Sequence, residues 1–91
     1  MRALRIAPAK VIAEQLSELN PEALTADGFD DALVGIVYRK CMEPIALYDR
    51  AKCISILMKQ GMSRELAEEY FCFNVDDAWV GEGTPAFLVR P

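Results

Sequence analysis

The chain has 91 residues, of which 53% are apolar, and it carries a formal net charge of -4 at pH 7. This apolar content excludes a disordered acidic tail and predicts one small folded domain, while the excess of acid argues against binding a nucleic-acid backbone. No apolar run approaches the roughly 20 residues that span a membrane, since the longest, Ala32 to Tyr38, is interrupted by Gly35.

The beginning of the sequence does not resemble a signal peptide. Apolar residues follow Arg2 and Arg5, but Pro8, Lys10 and Glu14 interrupt them before they form the continuous stretch that a signal peptide needs. We therefore expect the protein in the cytoplasm and not in a membrane.

The cysteines predict neither disulfides nor a metal site. Cys41, Cys53 and Cys72 are odd in number and irregularly spaced, so a disulfide framework is not expected. The sequence has no histidine and no Cys-x-x-Cys pair from which a zinc site could be built. Small buried thiols are the simpler interpretation, and no metal or cofactor is expected.

The first predicted element is an amphipathic helix from Pro8 to Leu19, with the proline at the first helical position. The apolar residues that recur at helical spacing are Val11, Ile12, Leu16 and Leu19. We expect this helix either to complete the helical layer of the domain or to pair with its counterpart in a homodimer. Its clean apolar stripe favours the dimer.

A loop is predicted after this helix. Asn20 is a suitable N-cap for a short turn, and the Asp27-Gly28 pair is typical of a turn with positive φ. Asp27, Asp30 and Asp31 could bind a divalent cation, but the further ligands of a calcium loop are absent. A solvated loop is the simpler interpretation.

Three strands are predicted. The run from Ala32 to Arg39 is apolar and β-branched, which indicates a strand buried on both faces or nearly so. Gly35 within it marks a bulge or a close approach by another backbone. Pro44 to Tyr48 forms the second strand, joined to the first in a hairpin. Ala86 to Val89 forms the third, after a turn-forming cluster of Gly and Pro.

Two helices lie between the second and third strands. Asp49 is a suitable N-cap for a helix to about Gln60, where Gly61 supplies the left-handed residue that commonly ends one. Ser63 caps the next helix, and Glu65 in its first turn is favourable against the helix dipole. We expect the two helices to form a tight pair.

The second of these helices is amphipathic. Its predicted apolar face consists of Leu66, Ala67, Tyr70, Phe71 and Asn74. The opposite face consists of Glu65, Glu68, Glu69, Cys72 and Asp76, and makes Cys72 the expected exposed thiol. Such a face is normally only solvated, but its shortage of compensating cations raises the case for a bound partner.

Trp79 follows this acidic face. It either closes the core over the helical pair or projects as an aromatic anchor of the kind enriched at interface centres. Closing the core is the simpler interpretation.

We therefore predict a single α+β domain over residues 1–91, with an N-terminal helical segment over 1–26 and an α+β core over 27–91. Its three strands form a small, mainly antiparallel sheet that the helical pair covers on one face. The amphipathic N-terminal helix is added to this unit.

No catalytic constellation is visible, so we do not expect an enzyme. Ser55, Ser63 and Cys72 have no histidine to activate them. The Gly81-x-Gly83 pattern lacks the rest of a phosphate-binding loop, and Glu82 places a negative charge where a phosphate would sit.

Several motifs together resemble a group of small proteins encoded by bacteriophages and prophages. The segments that carry the resemblance are Asp27-Gly28-Phe29-Asp30-Asp31-Ala32, Gly35, Tyr48-Asp49, Ile56-Leu57-Met58, Gly61-Met62-Ser63, Ala67, Glu69-Tyr70-Phe71, Phe73-Asn74, Val80-Gly81-Glu82 and Thr84-Pro85. They span about Asp27 to Leu88, without the N-terminal helix. The group has no assigned biochemical role, so the resemblance implies the cytoplasm of a host cell and no mechanism.

The leading functional hypothesis is a phage-type accessory protein that binds a host or phage protein through an acidic surface. The residues predicted to contact this partner are Glu65, Glu68, Glu69, Asp76, Trp79, Asp30 and Asp31. One alternative is a small-ligand or nucleotide-binding domain with a pocket near Gly35, Tyr48 and the Gly81 to Thr84 loop. Another is a structural or assembly component of a phage complex.

Overall fold

Residues 9–76 and 81–91 are described by the structure, a computed structural model of the chain. The elements in chain order are α1 (Ala9–Leu19), β1 (Leu33–Arg39), β2 (Met42–Asp49), α2 (Arg50–Lys59), α3 (Arg64–Phe71) and β3 (Ala86–Leu88). A short 3-10 turn, Asp30–Ala32, precedes β1, and a π-helical turn, Cys72–Asp76, follows α3. The predicted α+β class and the predicted N-terminal helix are confirmed, whereas the helix start predicted at Pro8 lies outside the described residues.

The sheet has the order β1-β2-β3. β1 and β2 form the predicted antiparallel hairpin, in which Ile36 pairs with Ala46. β3 pairs in parallel with β2, with Phe87 beside Tyr48. Because α2 and α3 carry the chain back across the sheet before it enters β3, this last strand runs in the same direction as β2.

β1 is an edge strand within the described residues. The register of the hairpin shifts between Leu33 and Gly35, which confirms a bulge at this glycine. The expectation that the strand is buried on both faces is wrong: most of its side chains are half-buried, and Tyr38 is 71% exposed. With no described strand beyond it, β1 leaves one of its two long edges without cover.

One hydrophobic core joins the helices to one face of the sheet. Ile12 and Leu16 of α1 are buried in this core with Tyr48, Leu57 and Phe71. Ile12 and Leu16, the central residues of the predicted stripe, thus pack within their own chain, whereas Val11 and Leu19 stay exposed, and pairing of α1 in a dimer stays a prediction. α1 completes the helical layer, as the alternative expectation had it.

Aromatic rings fix the position of β3 against the helices. The Phe87 ring lies 5.9 Å from the Tyr48 ring and meets the Phe71 ring edge-on at 5.0 Å between centroids. On its other side Phe71 is covered by the guanidinium of Arg50, 5.3 Å from the ring centroid. The third strand is therefore held by side-chain packing as well as by its short ladder.

The predicted helix caps are present. The Asp49 carboxylate accepts a hydrogen bond from the Lys52 amide at 3.3 Å, and its second oxygen lies 3.1 Å from the Arg90 guanidinium. Ser63 accepts from the amide three residues further on at 3.1 Å, and Gly61 has a φ of 107°. Each cap satisfies a backbone group that the helix itself leaves without a partner.

Close backbone packing joins the turn before β3 to the loop after α1. The Leu24 amide donates to the Gly83 carbonyl at 3.0 Å, and Arg39 donates to the Glu82 carbonyl at 3.0 Å. A Cβ atom built on Gly83 would lie 2.7 Å from the backbone oxygen of Glu22. Only glycine therefore fits at this position without moving one of the two backbones.

We expect Gly83→Ala to lower the free energy of unfolding by about 1 to 3 kcal/mol, because the added methyl group forces the two backbones apart. Gly35→Ala is the matched control, since a Cβ atom there meets only the Leu47 side chain at 3.9 Å. Urea unfolding followed by circular dichroism measures both variants. Equal stabilities for the two would contradict the close approach at Gly83.

Candidate binding site

α3 buries only part of its predicted apolar face. Ala67 and Phe71 are fully buried as expected, but Leu66 is 56% exposed and Tyr70 is 44% exposed. Leu66 lies five residues before Phe71, which corresponds to about 140° around an α-helix. Leu66 and Tyr70 therefore share the predicted apolar face but remain exposed, because the core covers only the part of this face around Ala67 and Phe71.

The exposed side chains belong to a stripe that runs from just before α3 to just after it. It consists of Met62, which is half-buried against the core, and of Leu66, Tyr70 and Phe73, each three or four residues after the one before, and is called the α3 stripe below. Phe73 is 69% exposed. A shallow groove of about 330 Å³ follows the stripe, with Glu69 and Asn74 on its walls.

Glu65 and Glu69 form an acidic border along the α3 stripe, and both are exposed. The neighbouring Glu68 pairs with Arg64 at 3.2 Å. Among the described residues, the border carboxylates have no ion pair of their own. A ligand that reaches the stripe therefore meets apolar surface and uncompensated negative charge side by side.

A deeper cavity opens on the far side of Tyr70 and Asn74. Its volume is about 430 Å³, and it lies between the loop at 24–29, the end of α2, the π-helical turn and the start of β3. Phe29, Leu57 and Phe87 give it an apolar wall. We call it the inner cavity, and it shares Tyr70 and Asn74 with the groove of the α3 stripe.

The polar groups around the inner cavity are few. The Asn74 amide nitrogen donates to the Tyr70 carbonyl at 3.2 Å, and the Thr84 hydroxyl donates to the Gly81 carbonyl at 2.7 Å. No hydrogen bond to another described residue occupies the side chains of Asp27 and Gln60. Of the lining residues that the structure describes, only Asp27 has a charged side chain.

Three distant segments of the phage-type resemblance meet at this cavity. They are Asp27-Gly28-Phe29, the Tyr70 to Asn74 stretch and Thr84-Pro85. Of the residues named for the predicted pocket, Gly35, Tyr48 and the Gly81 to Thr84 loop, only Thr84 lines this cavity, while Tyr48 and the rest of the loop line two other depressions. The sequence motifs thus contain residues that line the cavity, but only the fold shows that these residues lie close together.

The residues predicted to contact a partner do not form one surface. Glu65, Glu68 and Glu69 lie together on α3, whereas Asp30 and Asp31 line a separate depression near Lys10. Trp79 and the side chain of Asp76 lie outside the described residues. α3 therefore offers the coherent part of the predicted acidic surface.

The cysteines divide by exposure. Cys53 is fully buried, while Cys41 and Cys72 are exposed, so the expectation of small buried thiols holds for one of the three. The exposed position predicted for Cys72 is confirmed. Among residues 9–76 and 81–91, no cluster of side chains is suited to hold a metal ion.

No protein-family model, no curated protein and no solved structure matches this chain. The resemblance to phage proteins therefore stays a prediction. Within the described part of the chain, no helix has both the length and the apolar character to cross a membrane. The function is accordingly argued from the geometry of α3 and the inner cavity.

We expect Tyr48→Phe to loosen the loop that forms one wall of the inner cavity. The Tyr48 hydroxyl is buried and accepts a hydrogen bond from the Ala26 amide at 2.7 Å. Without it the amide loses its acceptor, which costs about 1 to 2 kcal/mol.

Thermal unfolding measures the loss of stability, and hydrogen exchange at the Ala26 amide measures the loosening. Tyr38→Phe is the control, because that hydroxyl belongs to an exposed side chain. An Ala26 amide that exchanges equally slowly in all three proteins would show that this hydrogen bond does not hold the loop.

The buried thiol of Cys53 predicts a loss of stability at alkaline pH. Burial, and secondly the negative charge of Asp49, raise the pKa of Cys53 to about 12. As the pH rises, the Cys53 thiol thus keeps its proton to a higher pH in the folded protein than in the unfolded chain. The stabilisation is complete below the ordinary thiol value of 9.0 and declines as the pH rises from there towards about 12.

Cys53→Ala should therefore flatten the fall in unfolding free energy between pH 9 and pH 11, measured by urea unfolding at about five pH values. Burial also raises the pKa of Tyr48, which contributes in the same direction and remains in the variant. The difference between the two proteins isolates Cys53. Parallel pH profiles would contradict the prediction.

Proposed function

We propose that the protein is a binding module for another protein, and that the α3 stripe with its acidic border is the contact surface. The observation that carries the proposal is the exposure of Leu66, Tyr70 and Phe73 on one helical face beside Glu65 and Glu69. Exposed apolar patches of this kind, rimmed by polar residues, mark interaction sites in small proteins.

The residue types fit a contact surface better than a solvated one. Aromatic side chains are enriched at the centres of protein interfaces, because they bury a large area for few rotatable bonds. Tyr70 and Phe73 supply two such rings, and Leu66 supplies an aliphatic neighbour. None of the three is needed to fill the core, which closes over Ala67 and Phe71.

The charge of the border defines the chemistry of the partner. Carboxylates without a local cation attract Lys or Arg and repel acidic surfaces, which favours a partner with basic residues next to apolar ones. A basic amphipathic helix has this arrangement, and its apolar face is the shape that a groove along a helix accommodates. The partner is therefore expected to present a short cationic amphipathic segment.

The phage-type resemblance gives this proposal a setting. Small acidic phage proteins made inside a host commonly act by binding a host protein and inhibiting or redirecting it. On this view the protein acts in the host cytoplasm as an accessory factor, and the α3 stripe is the part that makes the contact.

Two double variants test the surface. Leu66→Ala with Phe73→Ala removes exposed apolar area, and Glu65→Lys with Glu69→Lys reverses the charge of the border. A partner captured from host lysate by the wild-type protein is purified and titrated against each variant by calorimetry. We expect the apolar variant to weaken binding by about tenfold or more.

The charge-reversal variant should weaken binding strongly in low salt and less in high salt, because exposed charges are screened. Asp30→Lys with Asp31→Lys is the matched control, since it makes the same change of charge away from α3. If the Glu65 and Glu69 variant folds and binds with full affinity in low salt, α3 is not the contact surface.

A further inference from the structure

The inner cavity has the size and the walls of a small-molecule site. A volume of about 430 Å³ falls within the range of ordinary ligand pockets, roughly 300 to 1,000 Å³. Its apolar wall is built from core residues, since Leu57 and Phe29 are buried and Phe87 is packed edge-on against Phe71. The shape of this wall is therefore fixed by the same contacts that hold the domain together.

Two hydrogen bonds hold the loop at 24–29, which lines part of the cavity, in place. The Ala26 amide is bonded to the Tyr48 hydroxyl, and the Leu24 amide is bonded to the Gly83 carbonyl. The loop at 24–29 is thus tied at Leu24 to the turn before β3 and at Ala26 to β2. With the loop held in this position against the core, the cavity is already open to a ligand.

The polar groups of the cavity favour a ligand with a positively charged group that donates hydrogen bonds. Among the described residues that line the cavity, Asp27 is the one with a charged side chain, and its charge is negative. Gln60 and Asn74 also line the cavity, and their carboxamide oxygens can accept further hydrogen bonds. A nucleotide or another anion would meet repulsion here, whereas an ammonium group would find an oppositely charged acceptor.

We propose that the inner cavity binds a small organic cation with an aromatic body, an arylalkylammonium ion. The ring lies against Phe29, Leu57 and Phe87, and the ammonium group faces Asp27. This site goes beyond the contact surface on α3, because its ligand is recognised by the loop at 24–29 and the start of β3. It narrows the alternative of a small-ligand domain to one class of ligand and excludes nucleotides.

Three probes that share one ring test the proposal. Tryptamine, indole and 3-indolepropionate carry a positive charge, no charge and a negative charge on the same ring system. Each is titrated into the ¹⁵N-labelled protein while backbone amide shifts are recorded. We expect saturable shifts around residues 24–29 and 84–87, with tryptamine binding tightest and 3-indolepropionate weakest.

Asp27→Asn should reduce the affinity for tryptamine about threefold to fivefold and leave that for indole unchanged, as expected of an ion pair open to solvent. Asp31→Asn is the matched control, because it removes the same charge from an exposed residue outside the cavity. Ala26→Leu adds bulk to the wall and should abolish the binding of all three probes. The spectrum of each variant shows whether it is folded.

The proposal is overturned if none of the probes binds saturably, or if the shifts map away from the cavity. It is also overturned if 3-indolepropionate binds as tightly as tryptamine. These comparisons use the wild-type protein, so they decide the matter even where a variant does not fold.

Discussion

The hydrogen bond from the Ala26 amide to the buried hydroxyl of Tyr48 holds two parts of the molecule in register. Tyr48 lies on the central strand, where its ring packs against Phe87 of β3. The Tyr48 hydroxyl contacts the loop that leads from α1 towards β1, where it accepts the hydrogen bond of the Ala26 amide. The Tyr48 side chain thus sets the distance between the sheet and the loop at 24–29. The inner cavity is lined by the same loop.

The residue after Tyr48 extends this organisation to the helices. Asp49 caps α2 with one carboxylate oxygen and binds Arg90 with the other. The end of β2 therefore fixes the start of α2 and the segment after β3 together. Asp49 thus holds the first turn of α2. Against α2 and the core, α3 buries only Ala67 and Phe71. The remaining apolar side chains of α3 are left available at the surface.

The local signals in the sequence predicted much of the fold. Asp49, Gly61 and Ser63 act through their own backbone neighbours, so the helix boundaries they imply could be recognised without knowing the rest of the chain. The direction of β3 and the exposure of Leu66 depend instead on what lies beside them. Helical periodicity shows which residues share a face, but it does not show how much of that face the neighbouring elements cover.

The candidate site was harder to predict for the same reason. The acidic border follows from the spacing of glutamates within one helix, whereas the inner cavity requires Asp27, Asn74 and Thr84 to come together from three parts of the chain. Their motifs were recognisable separately, and only the crossover to β3 brings them to one place.

Tyr70 and Asn74 link the two candidate sites, because each lies on the wall of both the groove and the inner cavity. The π-helical turn after α3 contributes to this arrangement. The Tyr70 carbonyl accepts from the Asn74 side chain, where a continuing α-helix would use the amide of the same residue. π-helical turns are frequent at functional sites, since the wider turn redirects the side chains that follow it.

A protein on the α3 stripe and a small molecule in the cavity would therefore contact opposite sides of the same two residues, Tyr70 and Asn74. Any difference that one ligand makes to their position must appear, by reciprocity, in the affinity for the other.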